Sequence, residues 1–300
     1  MKKIETAAVY GLGALGMLFG SSLQKKYGAD KVRFVMDSGR YARHKEDRYT
    51  INDEPFDFAL QDIADVTGPS DLVIVAVKGV SLPEVIEMME PSVGDETIII
   101  SLMNGITSED MIAEKYGNAR ILDCIAIGMD AMREGTDLHY TQHGKLQIGS
   151  RRGDQPELVE AVAQYLQDAG VPYEIRTDIR HAMWHKFMLN VGVNQACTAY
   201  ETDYGHVTSP GPLCEEMKEA MREVIRLAAV ENITLTEDDV EAAIELERTL
   251  KPDGYPSMRQ DALAGRPTEV DLFAGTVLRL GGKSGIETPV NAKYREMIKR

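Results

Sequence analysis

Between residues 181 and 194 the chain reads HAMWHKFMLNVGVN, a pattern more apolar than that of an ordinary surface helix. At about 100° per residue, Lys186, Asn190 and Asn194 recur at i, i+4 and i+8 and form one polar stripe about 80° wide. Met183, Trp184, Phe187, Met188, Leu189, Val191 and Val193 cover nearly every other face. A helix apolar almost all round is normally buried. An ammonium and two amides in line on such a helix must meet another polar surface, a ligand or water, because a buried lysine needs a partner or a lowered pKa. The plainer alternative is a lysine that runs along its stem to solvent, with the two amides bonded to loops.

The same reading of apolar periodicity along the chain predicts strands at residues 4–10 and 32–36 and a small hairpin within 49–60 turning at Asn52-Asp53. Buried parallel-type strands follow at 72–77 (LVIVAV) and 97–102 (TIIISL), and a further strand at 121–127. Residues 138–141 and 145–149 read as short strands paired with each other around Gln142-His143-Gly144. An amphipathic helix at 157–169 and a strand at 173–176 complete this part. From Asp178 onward strand signals stop, and helices are expected at 180–200, 213–231, 237–250, 268–281 and 290–299. The prediction is an α/β chain: a doubly wound sheet domain over residues 1–177, then an all-helical domain over 178–300, with a cleft between them.

Composition narrows the partners. With 33 Lys+Arg against 48 Asp+Glu, the net charge of −15 repels nucleic acid and anionic membranes, so neither is expected as a partner. An anionic ligand must then be held by local groups. Cys124, Cys197 and Cys214 are far apart and form no CxxC pair, which points to a reducing, cytoplasmic setting. No apolar run reaches membrane-spanning length, and Met1-Lys2-Lys3 leads straight towards a strand, with no targeting segment expected. The apolar positions of 213–231 suit either a homodimer or completion of the core of their own domain.

Candidate chemistry sits at the ends of the predicted strands. Gly11-Leu12-Gly13-Ala14-Leu15-Gly16 follows the first strand and opens a helix, the context in which GxGxxG holds a dinucleotide pyrophosphate on a helix N-terminus. Asp37 comes about twenty residues later, where a carboxylate bonds the adenosine ribose. Arg40 and Arg43 lie just beyond and suit a 2′-phosphate instead, so NADPH and NADH both stay open. Lys78 and Asn104-Gly105 follow two further strands, and ligands of open α/β sheets bind beyond the carboxyl ends. A solvated strand end and an ordinary turn are the simpler readings of those two. His181 and His185 have metal-ligand spacing, but with no third ligand and no HExxH glutamate, no metal site is expected. Thr268 and Asp271 form a passable capping box, which would put Glu269 in the first turn of a helix.

Taken together, these residues resemble the ketopantoate reductase family over essentially the whole chain. The most specific part is Trp184, Lys186, Asn190 and Asn194 (W-x-K-x-x-x-N-x-x-x-N) with Ser257, Met258 and Asp261 (S-M-x-x-D) and Thr268, Glu269 and Asp271 (T-E-x-D). The resemblance implies a Rossmann-type dinucleotide-binding domain and a helical domain like the C-terminal domain of 6-phosphogluconate dehydrogenase. It implies NADPH-dependent reduction of ketopantoate to pantoate, on the way to pantothenate and coenzyme A. By the same resemblance Lys186 is the general acid, Glu269 assists at the reacting oxygen, Asn190, Asn194 and Ser257 bind the 2-oxo acid, and Lys78 and Asn104 line the cofactor–substrate junction. The chain departs from the pattern at Asp37, where an Arg is common, and at Gly254, where an Asn often holds substrate. A related dehydrogenase for another 2-oxo acid and a non-catalytic dinucleotide sensor are the competing readings.

Overall fold

Runs such as LVIV and IIIS offer water no polar face, so each must be covered on both sides. In the computed structural model, which describes residues 3–299, both lie inside an eight-stranded sheet. Met1 and Lys2, the start of the expected lead into the first strand, lie outside the described residues. The chain divides into two compact units, residues 1–103 with 107–179, and residues 104–106 with 180–300.

The strands of the first unit are β1 (Ala7–Tyr10), β2 (Val32–Met36), β3 (Tyr49–Ile51), β4 (Glu54–Phe56), β5 (Leu60–Asp62), β6 (Leu72–Val75), β7 (Ile98–Ser101), β8 (Ile121–Met129), β9 (Met132–Glu134), β10 (Asp137–His139), β11 (His143–Ser150) and β12 (Tyr173–Ile175). Its helices are α1 (Ala14–Tyr27), α2 (Ser38–His44), α3 (Leu82–Met88), α4 (Ser108–Tyr116) and α5 (Pro156–Asp168). The main sheet runs β12-β11-β8-β7-β6-β1-β2-β5 and is parallel except where β8 meets β11. Alternate residues feed two cores, Val9, Phe34, Ile74 and Ile100 on one face and Tyr10, Val35, Val75 and Ile99 on the other. Because β1 lies between β2 and β6, strand order reverses there, and the loop after β1 sits at the switch point where such sheets bind ligands.

A second sheet, β4-β3-β10-β9, contains the expected hairpin, with Asn52 and Asp53 both at positive φ. One expectation is overturned: the strands near 138 and 145 do not pair with each other. β10 joins β3 and β9, whereas β11 runs antiparallel to β8. The chain reverses at Gly135, and Gly144 is a point of close backbone approach instead of a turn. A Cβ there would meet the Ile127 carbonyl oxygen at 2.4 Å.

In the second unit, α6 (Ile179–Leu189), which begins at the unit boundary, leads into a π-helical turn (Asn190–Asn194) and then α7 (Gln195–Ala199). The regular α-helix expected over 180–200 is therefore interrupted where its two asparagines lie. α8 (Tyr204–Thr208), α9 (Pro212–Val230), α10 (Glu237–Arg248), α11 (Ser257–Leu263), α12 (Val270–Ser284) and α13 (Pro289–Ile298) follow. Trp184, Phe187, Met188, Val191 and Val193 are buried in this unit's core, as the apolar pattern requires. The expected Thr268–Asp271 capping box does not form. Glu269 itself is the N-cap residue of α12, and Asp271 pairs with Arg295 at 2.9 Å and Lys299 at 2.7 Å. Among the described residues no helix is long and apolar enough to cross a membrane.

A buried acid in the first unit gives a pH-dependent stability. Glu109 accepts from Ser108 Oγ at 2.8 Å, and burial, reinforced by the Asp123 carboxylate, pushes its pKa up to about 8. The folded chain keeps this proton from about pH 4.5 to about 8 while the unfolded chain releases it, so stability falls as pH rises through that window. Glu109→Gln is expected to match the parent in Tm at pH 5 and to exceed it at pH 9. Part of the slope should persist, because burial also lifts Glu247, to about 7. Parallel Tm curves for the two proteins would refute this assignment.

Candidate active site

The three glycines after β1 do three different things. Gly11 has φ +116°, and a Cβ there would sit 2.2 Å from the Ala76 carbonyl oxygen. A Cβ on Gly16 would lie 1.9 Å from the Gly11 carbonyl oxygen, so the third glycine lets α1 close against the loop. At Gly13 the nearest atom, the Ala76 carbonyl oxygen, would be 3.8 Å away, so a Cβ there would make an ordinary contact without displacing backbone. Gly13 is the N-cap of α1 and brings no side-chain cap, which leaves the first-turn N–H groups to an anion. Leu12, Ala14 and Leu15 fix this geometry by packing on the sheet core. The loop therefore fits a dinucleotide pyrophosphate. Arg133, which the sequence reading missed, donates from Nη1 to the Leu12 carbonyl and from Nε to Gly135 O at 2.8 Å. No motif marks it, because a two-strand excursion brings it there.

Asp37 caps α2. Its Oδ1 accepts the Arg40 N–H at 2.8 Å, and its Oδ2 lies 3.4 Å from Arg40 Nε. The two residues that argued for opposite cofactors are thus partners, and each lowers the charge the other presents. Arg43 is exposed one turn on. Lys78 is exposed directly after β6, at the same sheet end as the glycine loop.

Asn104 follows β7 but belongs to the second unit, where its side chain joins two expected residues. Lys186 Nζ donates to Asn104 Oδ1 at 3.0 Å, and Asn104 Nδ2 donates to Glu269 Oε2 at 3.1 Å. An ammonium needs an acceptor and a carboxylate needs a donor, so only this amide orientation satisfies both. All three residues are half-buried. One and two turns beyond Lys186, Asn190 and Asn194 are each buried to 6% exposure, and Asn194 Nδ2 lies 3.4 Å from Asn190 Oδ1. Ser257 is exposed at the start of α11, which packs beside α7 and the π-turn. Gly254 cannot be exchanged freely for Asn: a Cβ would meet Lys251 O at 2.9 Å and the Tyr204 ring at 3.2 Å. His181 and His185 stack with ring centroids 6.4 Å apart. The three cysteines are buried and free.

Two family descriptions match this chain: "Ketopantoate reductase PanE/ApbA" over residues 7–153 and its C-terminal counterpart over 178–300. A 2-dehydropantoate 2-reductase of Streptococcus pyogenes serotype M3 is 24% identical over 294 residues, covering 97% of this chain and 95% of the relative. Among solved structures, a 2-dehydropantoate 2-reductase from Geobacter metallireducens superposes with a TM-score of 0.85 at 24% identity, covering 98% and 99% of the two chains. A D-mandelate dehydrogenase solved with NADH and anilino(oxo)acetate superposes with the same TM-score at 21% identity, covering 98% and 97%.

The glycine loop makes a separable prediction. Gly16→Ala should lower Tm by about 5 °C or more, since its Cβ meets backbone. Gly13→Ala should keep Tm within about 2 °C yet weaken binding of a reduced nicotinamide dinucleotide at least about tenfold, measured by fluorescence titration. Equal Tm losses in the two variants would contradict the geometry.

Proposed function

The chain belongs to the ketopantoate reductase family of NAD(P)-dependent oxidoreductases, and from that premise we propose that it reduces 2-dehydropantoate (ketopantoate) to pantoate with NADPH. The observation that carries the reading is the contiguous Lys186–Asn104–Glu269 chain of hydrogen bonds. What the bound cofactor supplies is a hydride for the carbonyl carbon, which leaves an alkoxide in need of a proton. Lys186 is the group suited to give it. Its ammonium carries three donors and also stabilises the developing oxyanion. Asn104 accepts from that ammonium and fixes its direction, while Glu269, on the other side of the amide, assists at the substrate oxygen. Asn190, Asn194 and Ser257 are neutral donors suited to the substrate carboxylate in a protein of net charge −15. Lys78 is assigned to the cofactor on its place at the strand end. The product feeds pantothenate and coenzyme A formation.

For the cofactor, the Asp37–Arg40 pair favours NADPH, since a neutralised carboxylate next to the exposed Arg43 tolerates a 2′-phosphate. Comparing kcat/KM for the two reduced cofactors tests this. A preference for NADH of about tenfold, roughly 1.4 kcal/mol, would make Asp37 a ribose ligand instead. If NADPH is preferred, Arg40→Ala should narrow the gap and Lys78→Ala should not.

The crowding at Gly254 supports a second reading, reduction of a different 2-oxo acid, because a substrate-holding Asn does not fit this turn. A panel of 2-oxo acids with reduced cofactor separates the two, and absence of any turnover would leave a dinucleotide sensor. For the mechanism, Lys186→Ala should cut kcat by about 10²–10⁴ with dinucleotide affinity nearly unchanged. Glu269→Ala should also lower kcat. The double variant should lose less than the product of the two, because Asn104 links the groups. A folded Lys186→Ala enzyme with near-normal kcat would overturn the assignment.

A further inference from the structure

The π-turn Asn190–Asn194 widens the helix at the point where two amides are needed side by side, and such a turn requires a cause. In an α-helix the Val191 carbonyl would accept the backbone N–H of residue 195. Here the Gln195 backbone N–H goes to the Gly192 carbonyl, and the Val191 carbonyl accepts the side-chain amide, from Gln195 Nε2 at 2.8 Å. The same nitrogen donates to Asn291 Oδ1 at 2.8 Å, and Gln195 Oε1 accepts the Ala274 N–H at 2.9 Å. Asn291 in turn donates from Nδ2 to Glu223 Oε2 at 2.6 Å, and Glu223 also accepts the N–H groups of Val290 and Asn291 at the start of α13. Gln195, Glu223 and Asn291 are all fully buried, so none of these bonds is weakened by competing water. Opposite the clamp, Gly192 lets the turn press on α9, where a Cβ would meet Met221 Cε at 2.4 Å.

We infer that Gln195 is a positioning residue for substrate: by taking over the Val191 carbonyl it holds the π-turn that sets Asn190 and Asn194 together. The wider turn carries Asn194 back around the axis relative to an α-helical continuation, towards the Asn190 amide it approaches at 3.4 Å. Two pre-set amides lose little freedom on meeting a carboxylate, and the π-turn fixes the angle between two side chains that a regular α-helix would leave about 40° apart around its axis. The inference rests on the proposed binding of the 2-oxo acid by Asn190 and Asn194.

Gln195→Met keeps the length of the side chain and removes all three hydrogen bonds. Its KM for ketopantoate should rise about tenfold or more, with kcat changed by less than about threefold. The NADPH dissociation constant should stay the same. Gln195→Glu keeps the acceptor for Ala274 N–H but loses the donor, and it should shift KM in the same direction if the Met variant does not fold. A core variant in α10, Ile244→Ala, serves as the stability control and should lose Tm without the KM rise. Adding Asn194→Ala to Gln195→Met should raise KM little beyond Asn194→Ala alone, since the glutamine acts through that amide. A KM rise in Gln195→Met no larger than in Ile244→Ala, or effects that multiply with Asn194→Ala, would overturn the inference. If Asn190→Ala and Asn194→Ala themselves leave KM unchanged, the substrate-binding assignment fails and takes the inference with it. A KM rise in the asparagine variants without one in either Gln195 variant removes the positioning role alone.

Discussion

A lysine emerging from an otherwise apolar helix has to be met by an acceptor, and in the second unit that acceptor is the Asn104 amide. Burying an ammonium unmatched is costly, while matching it directly with a carboxylate alone favours a closed ion pair. The Asn104 amide bridges the two, accepting from Lys186 and donating to Glu269. Lys186 stays directed and Glu269 stays on the same chain of bonds. The rest of the helical unit can be read as what keeps that chain in place. α6 is sunk into the core by Trp184, Phe187 and Met188, and Glu269 stands at the N-terminus of α12, whose Ala274 N–H is tied back to the Gln195 side chain.

Much of this was legible in the residues. Continuous apolar runs at 72–75 and 98–101 identify strands covered on both faces, and the glycine loop after β1 lies where a switch-point ligand requires it. The polar stripe of Lys186, Asn190 and Asn194 is equally plain. What periodicity could not give is the π-turn, because there a buried side chain bonds a backbone carbonyl of its own helix and the apolar pattern is indifferent to that contact. The misplaced pairing of β10 and β11 has a similar origin. Gln142-His143-Gly144 carries turn residues, but Gly144 is there for the approach of two strands, and single-residue signals do not separate those uses. Local pattern also favoured a capping box at Thr268, where long-range pairing of Asp271 with Arg295 and Lys299 prevails.

The acidity of the chain shapes the dinucleotide loop as well. A surface of net charge −15 gives no general attraction to phosphates, so whatever holds them must be built locally. The uncapped N-terminus of α1 offers backbone N–H groups, and the Arg133 guanidinium is anchored on the Leu12 carbonyl of the same loop. Asp37 illustrates the opposite adjustment. Its place after β2 would by itself mark a ribose ligand, yet it is engaged as the cap of α2 and as the partner of Arg40. Local sequence defines the position of such a carboxylate, and only its partners define the charge it presents.

The same distinction bears on substrate selection. Positions 190, 194 and 257 keep the side chains by which the family is recognised, whereas 254 does not, and the turn around it explains why. The Gly254 carbonyl accepts the Tyr204 N–H at 3.1 Å, its own N–H reaches Lys251 O at 2.8 Å, and the Tyr204 ring closes the remaining side. Restoring an asparagine there would require moving a backbone carbonyl as well as a ring, so the glycine and its neighbours form one unit of change. A substrate-holding amide at 254 is therefore not regained by one substitution. On the proposed assignment, the carboxylate end of the substrate, met by Asn190 and Asn194, and the end that residue 254 would reach can vary independently. That separation would allow one helical scaffold to keep its Lys186–Asn104–Glu269 chain while the substrate it accepts changes.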